Sequence, residues 1–238
     1  VQDFPPIILE HYQGQRYYAS NKIIASKVMI HPDTRLVYIN DVIGYGVFAT
    51  AFIPKGTITY VKDALEVEVT PAEFSGHTPD MQELIEKYSF IDERGIRIIS
   101  WDFGKYVNHC CHCNTMSTGY GFEIAIRDIY PDEEITDEYG LFNMGSPMTL
   151  CCKHADCRGI VCKEDLDNLH AEWDNCIKTA LRLFNDIEQP LLSFLQKDVQ
   201  QSVQQFLNDP SMYRSVYALK YLDPASNHLA RNLQKIGR

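Results

Sequence analysis

Residues 105–140 read KYVNHCCHCNTMSTGYGFEIAIRDIYPDEEITDEYG. Asn108 and His109 run straight into Cys110, Cys111 and Cys113, and the far end is an acidic turn leading to Tyr139 and Gly140. Packing alone has no use for this combination. Asn-His is polar and needs partners if buried. The cysteines look like half of a metal site. A tyrosine closing a short strand sets one hydroxyl at a fixed place.

Outward from this stretch the chain reads as many short strands. LVYIN (36–40) is β-rich, 41–46 is a turn, and VFATAFI (47–53) reads as one buried strand. Pro54-Lys55-Gly56 turns into TITYV (57–61), and LEVEV (65–69) alternates cleanly. Thr70-Pro71 and Thr78-Pro79 each set a capping hydroxyl before a proline, the signature of a helix start. SFID (89–92), IRIIS (96–100), FEIAIRDI (122–129) and EEIT (133–136) complete the strands, with a turn of helix over 102–106. A further strand is expected near 23–30. Such a pattern indicates a mostly β domain.

After Cys162 the period changes. Leu166, Leu169, Trp173, Ile177, Leu181 and Phe184 recur at helical spacing. Pro190 opens a second helix with Leu191, Phe194, Leu195, Val199, Val203 and Phe206 on one side, and a third is expected over 211–222.

The chain has 238 residues, of which 45% are hydrophobic, so a sizeable core is expected. A net charge of −10 argues against direct nucleic-acid binding and suits a basic partner. No apolar run reaches membrane-spanning length, and the first residues lack the charged and apolar regions of a secretory signal. The eight cysteines cluster, which in a reducing compartment points to metal before disulfides. The expected setting is intracellular and cytoplasmic, with nuclear entry open. No His-Glu-x-x-His set supports a zinc hydrolase.

The stretch 105–140 resembles the core of SET-domain protein-lysine methyltransferases. That family reads roughly Arg-Phe-Ile-Asn-His-Ser-Cys-x-Pro-Asn, then Gly-Glu-Glu-Leu-Thr-x-Asp-Tyr. Lys105 to Asn114 follows the first motif and Asp132 to Tyr139 the second. GYGVFAT (44–50) resembles the family's glycine-rich opening, and CCKHADCRG (151–159) resembles its post-SET cysteine cluster, in the family's order. The resemblance implies a SET-type fold of small curved sheets, mostly β, with a C-terminal α-helical extension. It divides the chain into an N-terminal flank (1–30), a SET domain (31–145), a post-SET zinc segment (146–162) and the helical extension (163–238).

It also implies a function: transfer of methyl from S-adenosylmethionine to a lysine of a protein substrate, histone-like or otherwise basic. Tyr139 falls on the family's catalytic tyrosine. Gly44, Tyr45, Gly46, Asn108 and His109 fall on the cofactor site, and Phe142 and Tyr106 are expected along the substrate channel, with Tyr60 a weaker candidate. Cys111, Cys152 and Cys157 match structural-zinc ligands. The family's remaining ligand position is Leu150, so the fourth ligand is left among Cys151, His154, Cys162 and Cys113, with Cys151 nearest. Three departures stand out. Asp132 replaces a glycine, which suggests a differently shaped turn. Asp137 stands where a tyrosine is frequent, which removes a channel wall. Leu150 removes a ligand. They keep alive an alternative, a catalytically inactive SET-like module that binds protein.

Overall fold

The computed structural model describes residues 29–150, 152 and 154–222. Small sheets fill its first two thirds, and the long helices come after them. The expected strand over 23–30 lies largely outside the described residues; its end, Ile30, bridges Tyr60.

Three sheets build the β region. β1 (Thr34–Asn40) and β2 (Gly44–Ala49) form a hairpin, which turns through Gly44 at φ +83°. β2 pairs antiparallel with β10 (Glu134–Asp137), and β10 pairs in parallel with β7 (Asn108–His109). That parallel register sets Asn108 beside Thr136 and His109 beside Asp137, so the two ends of the diagnostic stretch become neighbours. A second sheet runs β3 (Ile58–Val61), β9 (Phe122–Ala125), β8 (Thr115–Ser117), with Tyr60 opposite Glu123. A third runs β4 (Val67–Val69), β6 (Arg97–Ile99), β5 (Phe90–Ile91). The short pair β11 (Met148–Thr149) and β12 (Ile160–Val161) brackets the cysteine segment.

Two short helices, α1 (Pro71–Gly76) and α2 (Pro79–Tyr88), start where the Thr-Pro pairs stand. Thr70 and Glu73 close a full capping box, whereas the Thr78 side chain caps nothing. VFATAFI is not one strand. β2 stops at Ala49, and Ile53 bridges Ile129 separately. Asp132 has φ +66°, so its turn keeps the left-handed conformation that a glycine would take. Aspartate is among the few other residues that tolerate it.

The extension packs onto the sheets. α3 (Asp165–Leu181) buries Leu166, Trp173, Ile177 and Leu181, and α4 (Lys197–Asn208) buries Val203 and Phe206, all in one core with Ile58, Phe122 and Ile124. The helix expected from Pro190 begins instead as a 3-10 turn, Leu192–Phe194, before α4. The third expected helix is absent: 211–222 holds the end of one 3-10 turn, Pro210–Met212, and all of another, Val216–Leu219. Between and beside these turns its backbone bonds to side chains elsewhere in the molecule. Arg214 N donates to the Tyr120 hydroxyl at 3.0 Å and Val216 N to Asp174 at 2.9 Å. A Cβ on Gly119 would lie 2.4 Å from the Arg214 carbonyl, so this segment straps down onto bare backbone.

Candidate active site

β10 ends at Asp137, and Tyr139 opens a 3-10 turn, Tyr139–Leu141, capped by the Glu138 carboxylate on Gly140 N at 2.8 Å. Glu138 is buried and also takes Arg158 at 2.6 Å, while Arg158 reaches Asp165 of α3 at 3.1 Å. Burial pushes the Glu138 carboxyl up and Arg158 opposes the shift. Glutamate in place of the family's aspartate thus ties the turn to the post-SET arginine. Gly140 lets the Trp173 ring approach, since a Cβ there would lie 2.7 Å from it.

The Tyr139 hydroxyl donates to the Val107 carbonyl at 2.7 Å, and its backbone N–H donates to His109 Nδ1 at 3.2 Å. Burial, then the charges of Asp137 and Glu123, raise its pKa, so the phenol stays neutral. Burial and Arg158 lower His109 to about 4, so its ring is neutral with Nδ1 free to accept. The other ring nitrogen lies 3.6 Å from Cys111 Sγ. The His109 ring is therefore spent on positioning Tyr139, and only its backbone is left for a ligand.

Tyr139 lines a cavity of about 440 Å3 walled by Tyr60, Tyr88, Phe90, Val107 and Phe142, with Ser100, Glu123 and Asp137 among its polar groups and Glu86, Lys87, Arg97 and Lys105 also on its lining. Phe142 stacks on Phe90 at 5.0 Å and tilts against Tyr139 at 5.6 Å. Tyr106 does not line this cavity. The 3-10 turn Phe103–Tyr106 presents Gly104 and Lys105 to it, and the Tyr106 ring packs between Tyr45 and Tyr88, at 5.6 and 5.8 Å.

Gly44, Tyr45, Gly46 and Asn108 meet on the neighbouring face of the sheet. Asn108 Nδ2 donates to the Tyr45 carbonyl at 3.0 Å and to Glu134 at 2.8 Å. A Cβ on Gly46 would strike Glu134 at 2.5 Å and crowd Asn108 at 3.1 Å, so this glycine admits the asparagine. Tyr45 is 45% exposed, and nothing lies within 4 Å of a Cβ built on Gly44. The region offers open backbone and one exposed ring, which suits a flat heterocycle.

The thiols of Cys111, Cys152 and Cys157 converge, each sulfur within 4.8 Å of the others. A tetrahedral zinc with Zn–S bonds of about 2.3 Å separates its sulfurs by about 3.8 Å. Cys111 and Cys157 stand 3.8 Å apart. Cys152 also meets Cys110 and His154 in a second triad. Of the fourth ligands expected from the sequence, Cys113 is 5% exposed in the helical core and Cys162 bonds Asp165, so neither joins the cluster. Cys151 lies outside the described residues. Sequence reading counts Cys110 among the metal-site cysteines but leaves it off the fourth-ligand list, and it missed Glu123, Tyr88 and Phe90 as cavity residues. Glu123 alternates with buried Phe122 and Ile124, which reads as a solvent face; here that face is the cavity.

Residues 44–140 match the model of the SET domain family. A cysteine cluster follows the matched stretch, in the place where the sequence resembles a post-SET segment. Among solved structures the chain is similar to a Plasmodium falciparum protein assigned as a histone methyltransferase, at 18% identity and a TM-score of 0.33, over 45% of this chain and 92% of that one. It is also similar to the methyltransferase domain of human histone-lysine N-methyltransferase SETMAR, at 16% identity and a TM-score of 0.37, over 56% of this chain and 58% of that one. No curated protein matches the chain. Among the described residues no helix is long and apolar enough to cross a membrane.

Proposed function

We propose that this SET-domain chain is an S-adenosylmethionine-dependent protein-lysine methyltransferase acting on a basic, histone-like or similar protein. One observation carries the reading: the Tyr139 hydroxyl, fixed by the Val107 carbonyl at 2.7 Å, lines a cavity with aromatic walls. Methyl transfer to an amine needs a neutral nitrogen, although a free lysine has a pKa of about 10.4. Burial among Tyr60, Tyr88, Phe90 and Phe142 disfavours the charged form at the moment of attack. The cavity also holds the amine in line. Tyr139, held neutral and rigid, orients the incoming nitrogen, and neighbouring carbonyl oxygens add weak C–H···O contacts.

S-adenosylmethionine supplies a sulfonium-borne methyl. Gly44, Tyr45, Gly46, Asn108 and the His109 backbone would hold it. Zinc, with Cys111, Cys152 and Cys157 as ligands and Cys151, His154 or Cys110 as the fourth, would staple the segment 146–162 to the domain. In this reading residues 1–30 flank the SET domain and 163–238 extend it.

A calorimetric titration with S-adenosylmethionine on wild type and Asn108→Ala tests the cofactor site. Mass spectrometry of core histones incubated with enzyme and cofactor tests transfer. Binding lost in the variant, with methyl-lysine formed by the wild type, is the expected result. A folded, zinc-loaded wild type that binds no cofactor would instead be the inactive protein-binding module.

A further inference from the structure

Asp137 departs from the aromatic residue frequent in the family, and what it meets gives the departure a use. Asp137 is 1% exposed. Its Oδ1 accepts the Glu138 N–H at 2.7 Å, while Oδ2 has no donor among the described residues. The Glu123 carboxyl meets it from β9. Both residues line the cavity beside Tyr139.

A third carboxyl stands close by. Glu66 accepts the Tyr60 hydroxyl through one oxygen, and its other oxygen is buried without a donor. The Tyr60 hydroxyl also lies 2.6 Å from Ser100 Oγ. No ion pair among the described residues involves Glu66, Glu123 or Asp137. The cations at the cavity are engaged elsewhere. Arg97 pairs with Glu86 and covers Phe74, while Lys87 and Lys105 lie over Tyr88 and Tyr106. Two touching carboxyls, Asp137 buried and Glu123 half-buried, cannot both stay ionised alone, and desolvation pushes both upward. They need a shared proton or a cation beside them.

We infer that Glu123 and Asp137 form a recognition site for a primary ammonium, the charged end of the substrate, entering the cavity beside Tyr60, Tyr139 and Phe142. An ammonium brings three donors and no acceptor, which matches a carboxylate oxygen, Asp137 Oδ2, that has no donor among the described residues. Charge-assisted bonds of this kind are about twice as strong as neutral ones. The aromatic walls take the aliphatic stem. The same charge turns away acidic side chains. The pair thus holds the amine in its resting, pre-reactive form, which rests on the methyltransferase reading only in taking that amine to be a lysine's.

The probe is n-butylammonium, the lysine side chain cut at its Cβ–Cα bond, with 1-butanol as the neutral control. Both are titrated by NMR into the full chain, as wild type, Glu123→Gln and Asp137→Asn. Each variant preserves shape, and thermal melting checks its fold. The expected result is saturable binding of the ammonium with shifts at Tyr139 and Glu123, weakened tenfold or more in either folded variant, with 1-butanol indifferent to both. Equal ammonium affinity in wild type and both variants would overturn the inference. Cofactor calorimetry and histone methylation run alongside. Charge-selective binding without cofactor binding or transfer would sink the methyltransferase reading and leave the carboxylate site standing. Transfer without charge selectivity would do the reverse.

Discussion

The cavity and the cysteine cluster, joined through His109, are built in opposite ways. The cavity's polar parts are fixed by the protein's own bonds: Tyr139 to Val107 and His109, Asp137 to Glu138, Tyr60 to Ser100. Its walls come from β3 (Tyr60), β5 (Phe90), the end of α2 (Tyr88) and the residue after the Tyr139–Leu141 turn (Phe142). The cysteine cluster draws on a loop after β7 and a segment between β11 and β12, and beyond one another its sulfurs meet the His109 ring and the backbone N–H groups of His112 and Gly159. A preformed site keeps its geometry without its ligand. A site of converging thiols depends on the ion for its geometry.

Removing a zinc ligand should break the weaker of the two first. Cys157→Ser is expected to drop metal content from about one zinc per chain to almost none. Hydrogen exchange should then rise across 150–162 while β10 stays protected. Equal loss of protection in both would show that the cavity also needs the metal. Next in size, Tyr139→Phe should cut methyl transfer on the order of 100-fold. Melting temperature and zinc content should be little changed, because the ring keeps its packing; an active variant would remove the hydroxyl from the mechanism.

Asn143→Ala probes the cavity's outer rim. Its side chain donates to the Ile91 and Leu219 carbonyls, at 3.1 and 2.8 Å, and accepts Tyr221 N at 2.7 Å. Losing these bonds should cost roughly 2 kcal/mol in denaturant unfolding, with exchange rising at 216–222. No change in stability would mean the strap is held elsewhere. Asp132→Gly is the smallest effect, within about 0.5 kcal/mol, since relief of the left-handed aspartate offsets the exposed bridge to Arg35. A larger loss in urea titration would give that bridge a role its exposure argues against.

What the sequence revealed follows the same division. Asn108, His109 and Tyr139 stand out because motif spacing survives where long-range pairing cannot be seen, and β7 beside β10 gives the spacing its reason. The helices α3 and α4 are legible from period alone. The strap over 211–222 reads as a helix because its backbone partners, Tyr120 and Asp174, lie far away in sequence. Glu123 is hidden for a related reason. Alternation tells which side chains leave the core; it does not tell whether they enter solvent or a cavity. Tyr106, expected along a channel, is off the cavity lining because its ring packs between Tyr45 and Tyr88.

The strap has a consequence in time. Residues 213–222 close over Gly119, Tyr120 and Asn143, which are made much earlier as the chain grows from its N-terminus. Contacts so distant in sequence form late. While the ribosome is still adding the helices, the rim at Asn143 lacks its last partners. The strap, made after the helices that precede it, therefore finishes a wall begun more than seventy residues earlier at Asn143.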